Sequence, residues 1–477
     1  MEAEYKKLEL IAGLEIHQQL NTNKLFCNCP SLLRNDSPQY TIKRKLNPVI
    51  GETGIIDTAA AYEKTKDKTF EYQVFDTNCL VELDEEPPHK INKEALKIVL
   101  QISHLLNAKI FPVTQIMRKT VIDGSNTAGF QRTVLIAHDG HIETSTGKVE
   151  IEFIALEEDS ARKSKSTGDK TIYSLDRLGI PLIEITTKPD LKTPEQIKET
   201  ALKLGEILRA CNVKRGIGTI RQDVNISIKG SKRVEIKGFQ DTKIMIKTIL
   251  TEIKRQQECL KNSSCKLEVR KSLPDGTTQF LRPMPTSARM YPETDLELLK
   301  ISKRLIDETK KNLPKLATEH KSFLSEFGLN EELIKLILKN NRIEDFKTLS
   351  HTTSDKELIA KCLTLFQKEL SIKENKTPEE ISEILNVHTL EAVLEKVDKE
   401  IAKGDIKNVL QKLVQGKSFE ESIKKSDINL NEVTKNLIKE KPDLSIQAYM
   451  GLIMGKYKGQ VSGSEVSDVL KKLLHIT

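Results

Sequence analysis

A chain of 477 residues exceeds what one ordinary hydrophobic core organises, so two to four domains are expected. Apolar residues make up 38% and charged residues 30%, a balance that excludes a disordered, collagen-like or membrane-embedded chain. A net charge of +7 allows a nucleic-acid partner without announcing one; local patches would have to supply the attraction.

The seven cysteines are an odd, sparse set in a lysine-rich chain, which argues for a reducing compartment and a cytoplasmic location. The acidic opening Met1-Glu2-Ala3-Glu4 is no secretory leader. No apolar run is long enough to span a bilayer. Gly451, Gly455 and Gly459 have the spacing of a membrane helix pair, but Lys456 and Lys458 make that reading poor.

Gly13-Leu-Glu-Ile-His-Gln-Gln-Leu20 reads as a strand. Alternation puts Glu15, His17 and Gln19 on one face and Leu14 and Ile16 on the other. The bland alternative is a solvated strand face. Cys27-Asn-Cys29-Pro30 follows, and Lys43 to Ala61 looks irregular. Asp76-Thr-Asn-Cys79 precedes an acidic, proline-stopped turn, Asp84 to Pro88. Lys93 to Leu106 has helical spacing.

Met117-Arg118-Lys119 leads to a donor-rich loop, Asp123 to Arg132. Strands are expected near Val134 to Ala137 and Val149 to Leu156. Ile151, Phe153, Ala155 and Glu157 share a face, so Glu157 continues an apolar row, where a carboxylate is costly unless paired or metal-bound. Glu158 falls on the opposite face, as an outer or solvated group. Glu184 is a lone carboxylate within the run Leu182 to Ile185. Thr193-Pro-Glu-Gln196 opens a helix through Leu208. The alternating strand Arg221 to Ile228 pairs with Arg233 to Lys237 across Lys229-Gly-Ser231. From about residue 296, glycine and proline thin out and lysine–glutamate helices take over, capped at Thr377 and Ser418. This predicts helical domains behind a strand-rich one.

Two constellations carry chemistry. Glu15, His17, Glu157 and Glu184 offer hard oxygens and one imidazole, a set that suits Mg²⁺ and, through it, a nucleoside triphosphate. The alternative is buried ion pairing with Arg118, Arg132 or Arg177. Cys27 and Cys29, with Cys79 and Asp76, form a candidate zinc set, against a reading as buried free thiols. No Gly-rich phosphate loop with its lysine exists, so an ATP site would rely on carboxylate-held metal with basic clamps. The clamp candidates are Arg118, Lys119, Arg132, Arg221 and Arg289, each with a salt-bridge alternative.

These motifs resemble a known family. Gly13 to Leu20, followed by Lys24-Leu-Phe-Cys27-x-Cys29-Pro30, is similar to the opening of the B and E subunits of tRNA-dependent amidotransferases. So are Asp123 to Arg132, Leu156-Glu-Glu-Asp159, Gly179-Ile-Pro-Leu-Ile-Glu-Ile185, Arg221-Gln-Asp-Val-Asn225 and Arg289-Met-Tyr-Pro-Glu-Thr-Asp295. Asp76 to His89 resembles the archaeal E branch in particular. The match covers about the first 295 residues.

The resemblance implies an α+β chain in three parts. Residues 1–295 form a glutamine-synthetase-like cradle, the kinase and transamidase domain. A helical domain, 296–410, and a YqeY-like helical tail, 411–477, follow, and the tail contacts tRNA; Lys456, Tyr457 and Lys458, in the turn between its last helices, are the candidate contacts, against a reading as a solvated turn. It further implies a ligase that uses ATP and Mg²⁺ to phosphorylate the glutamate of Glu-tRNA(Gln) and amidates it with ammonia. The ammonia comes from an asparaginase-like amidase partner in a hetero-oligomer. Glu15, His17, Glu157 and Glu184 match the family's metal and phosphoryl-transfer positions.

Two departures stand out. The E branch carries a synthetase-like insertion after the helix here at Thr242 to Leu260, where this chain has only Lys261 to Lys266. The B branch has Cys-x-x-Cys where Asp76-x-x-Cys79 stands, which bears on zinc. Three other readings remain: a B-type amidotransferase component acting on Asp-tRNA or Glu-tRNA, an inactive tRNA-binding scaffold, and a free-standing small-molecule amide ligase.

Overall fold

The strand-rich part of the sequence folds around one large mixed sheet. In chain order its strands are β1 (Ile11–Gln19), β2 (Lys109–Ile110), β3 (Ile116–Thr120), β4 (Phe130–Thr144), β5 (Gly147–Glu158), β6 (Pro181–Thr187), β7 (Ile220–Ser227), β8 (Val234–Phe239), β9 (Glu268–Ser272), β10 (Thr278–Pro283) and β11 (Met290–Pro292). Their spatial order is β10-β9-β8-β7-β1-β6-β5-β4-β3-β11, with β2 on β4. Among the described residues of this sheet, β8 and β9 are the parallel pair. The computed structural model describes all residues except 1, 52–53, 240–241, 341, 424–428, 443, 458–462 and 475–477. The chain divides into two units, Met1–Leu316 and Ala317–Thr477.

Three helices cover one face of the sheet: α1 (Lys93–Leu105), α2 (Pro194–Ala210) and α3 (Thr242–Lys261). Their apolar stripes meet the inward residues of β1 in one cluster, with Ala12, Leu14 and Ile16 against Val99, Ile102, Ile197, Leu204, Ile249 and Ile253. Burying that stripe selects the register of β1, because a one-residue slip would turn Glu15 and His17 into the core. The Thr193 hydroxyl accepts from Gln196 N–H and Pro194 is the first helical residue, as expected. The return bond of the capping box differs: Gln196 Oε1 accepts from Lys192 N–H, one residue before the cap.

A smaller sheet joins Tyr40–Arg44, Thr69–Val74, Lys170–Ser174 and Arg162–Thr167 in that spatial order. The stretch read as irregular, Lys43 to Ala61, has neither helix nor strand at its described residues from 45 to 57; it starts in the end of the strand Tyr40–Arg44 and runs into a short helix, Thr58–Lys64, whose N-terminus is capped by Asp57. The composition shift near 296 precedes the boundary between the units. Helix α4 (Lys303–Lys311) still belongs to the first, where the imidazole of His104 on α1 meets the Ile306 carbonyl at 3.1 Å.

Cys259 and Cys265 are disulfide-bonded, with Cα atoms 5.2 Å apart. The reading of the cysteines as a set for a reducing compartment does not foresee this bond; the turn that closes α3 brings the two residues together.

The described elements of the second unit are helices, from Ala317–Glu326 to Gly463–Leu474. Thr377 and Ser418 both form the expected capping boxes, with Glu380 and Glu421. Two separate apolar clusters fill it. One runs from Leu324 to Val414, and the other is centred on Tyr449, Ile453, Val466 and Leu470. The helix Ile406–Val414 packs in the first cluster and so runs through position 410. No described helix is long and apolar enough to cross a membrane.

Candidate active site

The face of the sheet opposite α1, α2 and α3 carries the charged residues. In the strand register, His17 on β1 lies opposite Glu184 on β6 and Arg221 on β7, and Glu15 lies opposite Asp223. Glu157 on β5 pairs with Leu182 on β6, two residues along the strand from Glu184 and on the same face. The imidazole Nε2 of His17 therefore sits among three carboxylates: Glu15 at 3.3 Å, Glu157 at 3.6 Å and Glu184 at 3.9 Å. All four residues expected from the sequence converge.

Lys119 on β3 closes one side, with Nζ at 2.8 Å from Glu157 and 3.4 Å from Glu184. Burial opposes the lysine's charge, but these two carboxylates outweigh it and raise its pKa. Burial also pushes Glu184 up; Lys119 and His17 reverse this and hold it at about 2. Glu15 goes the other way. Burial and the neighbouring Glu184 carry it up to about 7, against the pull of His17 and Lys237.

That shift has a consequence for the metal-free protein. The folded carboxyl of Glu15 keeps its proton up to about pH 7, whereas the unfolded one loses it near 4.5. Its contribution to stability is fully present below pH 4.5 and is lost as pH rises through 7. Glu15→Gln is expected to match the wild type at pH 5 and to exceed it at pH 8 by about 1–3 kcal/mol. Urea titrations at the two pH values check this; equal stability at pH 8 would refute it.

Two donor groups lie within 4.8 Å spans: His17, Glu157 and Glu184, and Glu15, His17 and Asp223. They share one imidazole and contribute two carboxylates each. Hard oxygens in this number fit Mg²⁺, which binds through one or two carboxylates and keeps waters or phosphate oxygens on its other positions. The sequence pattern alone does not single out Asp223. It lies within the Arg221-to-Asn225 motif, two residues from Arg221, and the face it shares with β1 is set by the register.

The five basic candidates separate. Arg132 is buried and bonds Glu293 at 2.7 Å and Glu158 at 3.5 Å. Glu158 is thus a buried partner and not a solvated group. Burial raises its pKa against the pull of Arg132. Arg118 pairs with Glu293 and with Asp295 at 3.0 Å, and lies over the Phe130 ring. Arg221 bonds Asp159 at 2.7 Å, and Gln19 donates to the same carboxylate at 2.6 Å. Lys119 is bound to the cluster itself. Arg289, half-buried in the turn before β11, has no ion-pair partner among the described residues, yet its charge helps to lower Glu184.

The cysteine set is corrected in one member. Asp76 is exposed and pairs with Arg34, which holds it away from the thiols. Glu82 takes its place: Cys27, Cys29, Cys79 and Glu82 bring their donor atoms within 4.8 Å of one another. Glu82 meets Cys27 Sγ at 3.4 Å, Cys79 Sγ at 3.1 Å and the buried Lys24 Nζ at 2.6 Å. Burial pushes the Cys79 thiol up to about 12, and the bond to Glu82 adds to this. Three sulfurs and one carboxylate oxygen form a donor set that fits zinc. The i, i+3 spacing of Cys79 and Glu82 is the sequence signal that points to this pair.

The family described as "GatB/GatE catalytic domain" matches residues 10–307, the stretch that builds this site. The E component of the glutamyl-tRNA(Gln) amidotransferase of Methanocaldococcus jannaschii is 35% identical over 630 aligned positions, covering 99% of this chain and all of the relative. Its counterparts in Methanococcus maripaludis and Sulfolobus acidocaldarius are 33% and 32% identical over 99% and 98% of this chain, and over 99% and 98% of their own lengths. An alignment of 630 positions for a chain of 477 residues leaves long stretches of the relatives without a counterpart, in line with the short Lys261–Lys266 connection. With the family match over most of its length and these relatives along nearly all of it, the chain belongs to the GatB/GatE family of tRNA-dependent amidotransferase subunits.

Proposed function

We propose that this chain is the kinase and transamidase subunit of a glutamyl-tRNA(Gln) amidotransferase. The carrying observation is the cluster of Glu15, His17, Glu157 and Glu184 around one imidazole on the open face of the sheet. The names of its full-length relatives support the substrate.

The reaction has two steps. The side-chain carboxylate of glutamate esterified to tRNA attacks the γ-phosphorus of ATP, giving an acyl phosphate and ADP. Ammonia then adds to the acyl carbon and phosphate leaves, giving Gln-tRNA(Gln). Both partners of the first step are anions, so charge neutralisation and in-line placement dominate its barrier. Mg²⁺ held by the carboxylate cluster would supply that neutralisation. The chain's own residues orient it. His17 sits between the carboxylate pairs, Lys119 fixes Glu157 and Glu184, and Arg289, uncommitted to an internal pair, is the clamp for phosphate. Arg118, Arg132 and Arg221 hold the walls through their acidic partners.

The ammonia comes from an asparaginase-like amidase partner in a cytoplasmic hetero-oligomer. The first unit is the synthetase-like cradle, and the end of the second is the YqeY-like tail that contacts tRNA. Lys456 and Tyr457 close the helix Ile446–Lys456 there; Lys458 lies outside the described residues. Truncation after Ile423 keeps the first helical core with Phe419 and Ile423 packed on it, and is expected to weaken Glu-tRNA(Gln) binding roughly tenfold or more in filter binding. Unchanged affinity would remove the tail from the interface.

Zinc is proposed for the Cys27, Cys29, Cys79 and Glu82 set. Metal analysis of the purified chain should give one equivalent, and Cys79→Ser should reduce it below half. A wild-type chain without zinc would leave the Lys24–Glu82 pair as the group that holds the loop together.

Product analysis tests the main reading. With ATP, an ammonium salt and Glu-tRNA(Gln), the chain should form Gln-tRNA(Gln) without its amidase. Conversion of Asp-tRNA(Asn) instead would make it a B-type enzyme.

A further inference from the structure

Lys237 flanks the carboxylate cluster on the side opposite Lys119. Strand β8 reaches it through a bulge, since Gln222 pairs with Phe239 and Val224 with Ile236, so Lys237 and Gly238 together face Asp223. Gly238 has φ +90°, a conformation that L side chains rarely adopt, and its N–H donates to Asp223 Oδ1 at 3.1 Å. A bulge re-aims the side chains next to it. Here it brings Lys237 Nζ to 2.6 Å from Asp223 Oδ2 and 2.5 Å from Glu235 Oε1.

Asp223 is also a donor of the group that includes Glu15 and His17. Magnesium binds a carboxylate oxygen at roughly 2.1 Å, so an ion on Oδ2 would sit no more than about 4.7 Å from the Lys237 ammonium. Two positive centres that close, one of them divalent, repel at a half-buried site.

We propose that Lys237 is a built-in counter-cation of the phosphoryl-transfer site. Its ammonium neutralises Asp223 and Glu235 in the metal-free chain, and a divalent cation taking Asp223 with Glu15 and His17 must displace it. The displaced ammonium then stands beside the phosphates that the cation brings in. Lys237 thereby couples cation binding to nucleotide binding: it opposes the first alone and favours the two together. This rests on the phosphoryl-transfer reading above.

Binding of Mn²⁺ alone, followed by electron paramagnetic resonance on the full chain, tests it. Lys237→Met is expected to bind Mn²⁺ about tenfold or more tightly than wild type without nucleotide, and to bind Mn²⁺–ATP more weakly. Lys237→Arg should restore the wild-type pattern. Lys237→Gln keeps a donor for Asp223 without the charge; it should show the same two shifts, and it carries the test where Lys237→Met folds poorly. A merely structural lysine would give the reverse sign, with weaker Mn²⁺ binding in the neutral variants. Unchanged or weaker Mn²⁺ binding in both neutral variants overturns the proposal while leaving the phosphoryl-transfer reading intact. A wild-type chain that binds no Mn²⁺ overturns both.

Discussion

Glu157→Gln is expected to lower tRNA-dependent ADP formation by roughly 10³-fold or more with the sheet intact. The side chain is 2% exposed and ends an apolar row, so nothing in the packing of β5 requires a charge there. What requires it is the cluster, where Glu157 faces His17 Nε2 at 3.6 Å and Lys119 Nζ at 2.8 Å. The amide has the same shape, accepts from Lys119 through its oxygen, and loses the charge that holds a cation. Lys119 keeps Glu184 at 3.4 Å, so the lysine is not orphaned. The variant should therefore retain its circular dichroism and melting temperature while losing turnover and one Mn²⁺. Full turnover would remove Glu157 from the site; a lost fold would make its role structural.

Arg132→Met should act in the opposite way, on stability. The guanidinium is buried between Glu293 at 2.7 Å and Glu158 at 3.5 Å, and both carboxylates are buried with it. Truncation leaves two carboxylates without their partner, a loss of about 3–5 kcal/mol. Arg118 still holds Glu293, so the larger share falls on Glu158. Hydrogen exchange at the amides of β3 to β5 should accelerate accordingly. Arg289→Met, lacking such partners, should leave exchange unchanged and raise KM for ATP. Wild-type protection in Arg132→Met would return Arg132 to the set of phosphate clamps.

The active face is legible in the sequence because strand alternation and core burial are local rules. Glu15 and His17 share a face by period two, and Glu157 and Glu184 announce themselves by breaking apolar runs. What the sequence hides depends on register and on long-range pairing. Asp223 joins the site because β7 lies beside β1, and Lys237 because a bulge turns β8. Arg132 and Arg118 converge on Glu293, more than 150 residues away in the chain, which no local pattern foretells. Asp76 looks like a ligand by spacing alone; Arg34 takes it, and Glu82 arrives through the turn that follows Cys79. The disulfide joining Cys259 and Cys265 is equally hidden in a count of seven cysteines.

ATP hydrolysis by the full chain, with Glu-tRNA(Gln), Asp-tRNA(Asn), uncharged tRNA and no tRNA in parallel, tests the central claim most directly. ADP formed with Glu-tRNA(Gln) and at background in the other three reactions is the expected result. ADP formed equally without tRNA would contradict it and point to a small-molecule ligase. No ADP in any reaction, even with the amidase partner added, would make the chain a scaffold.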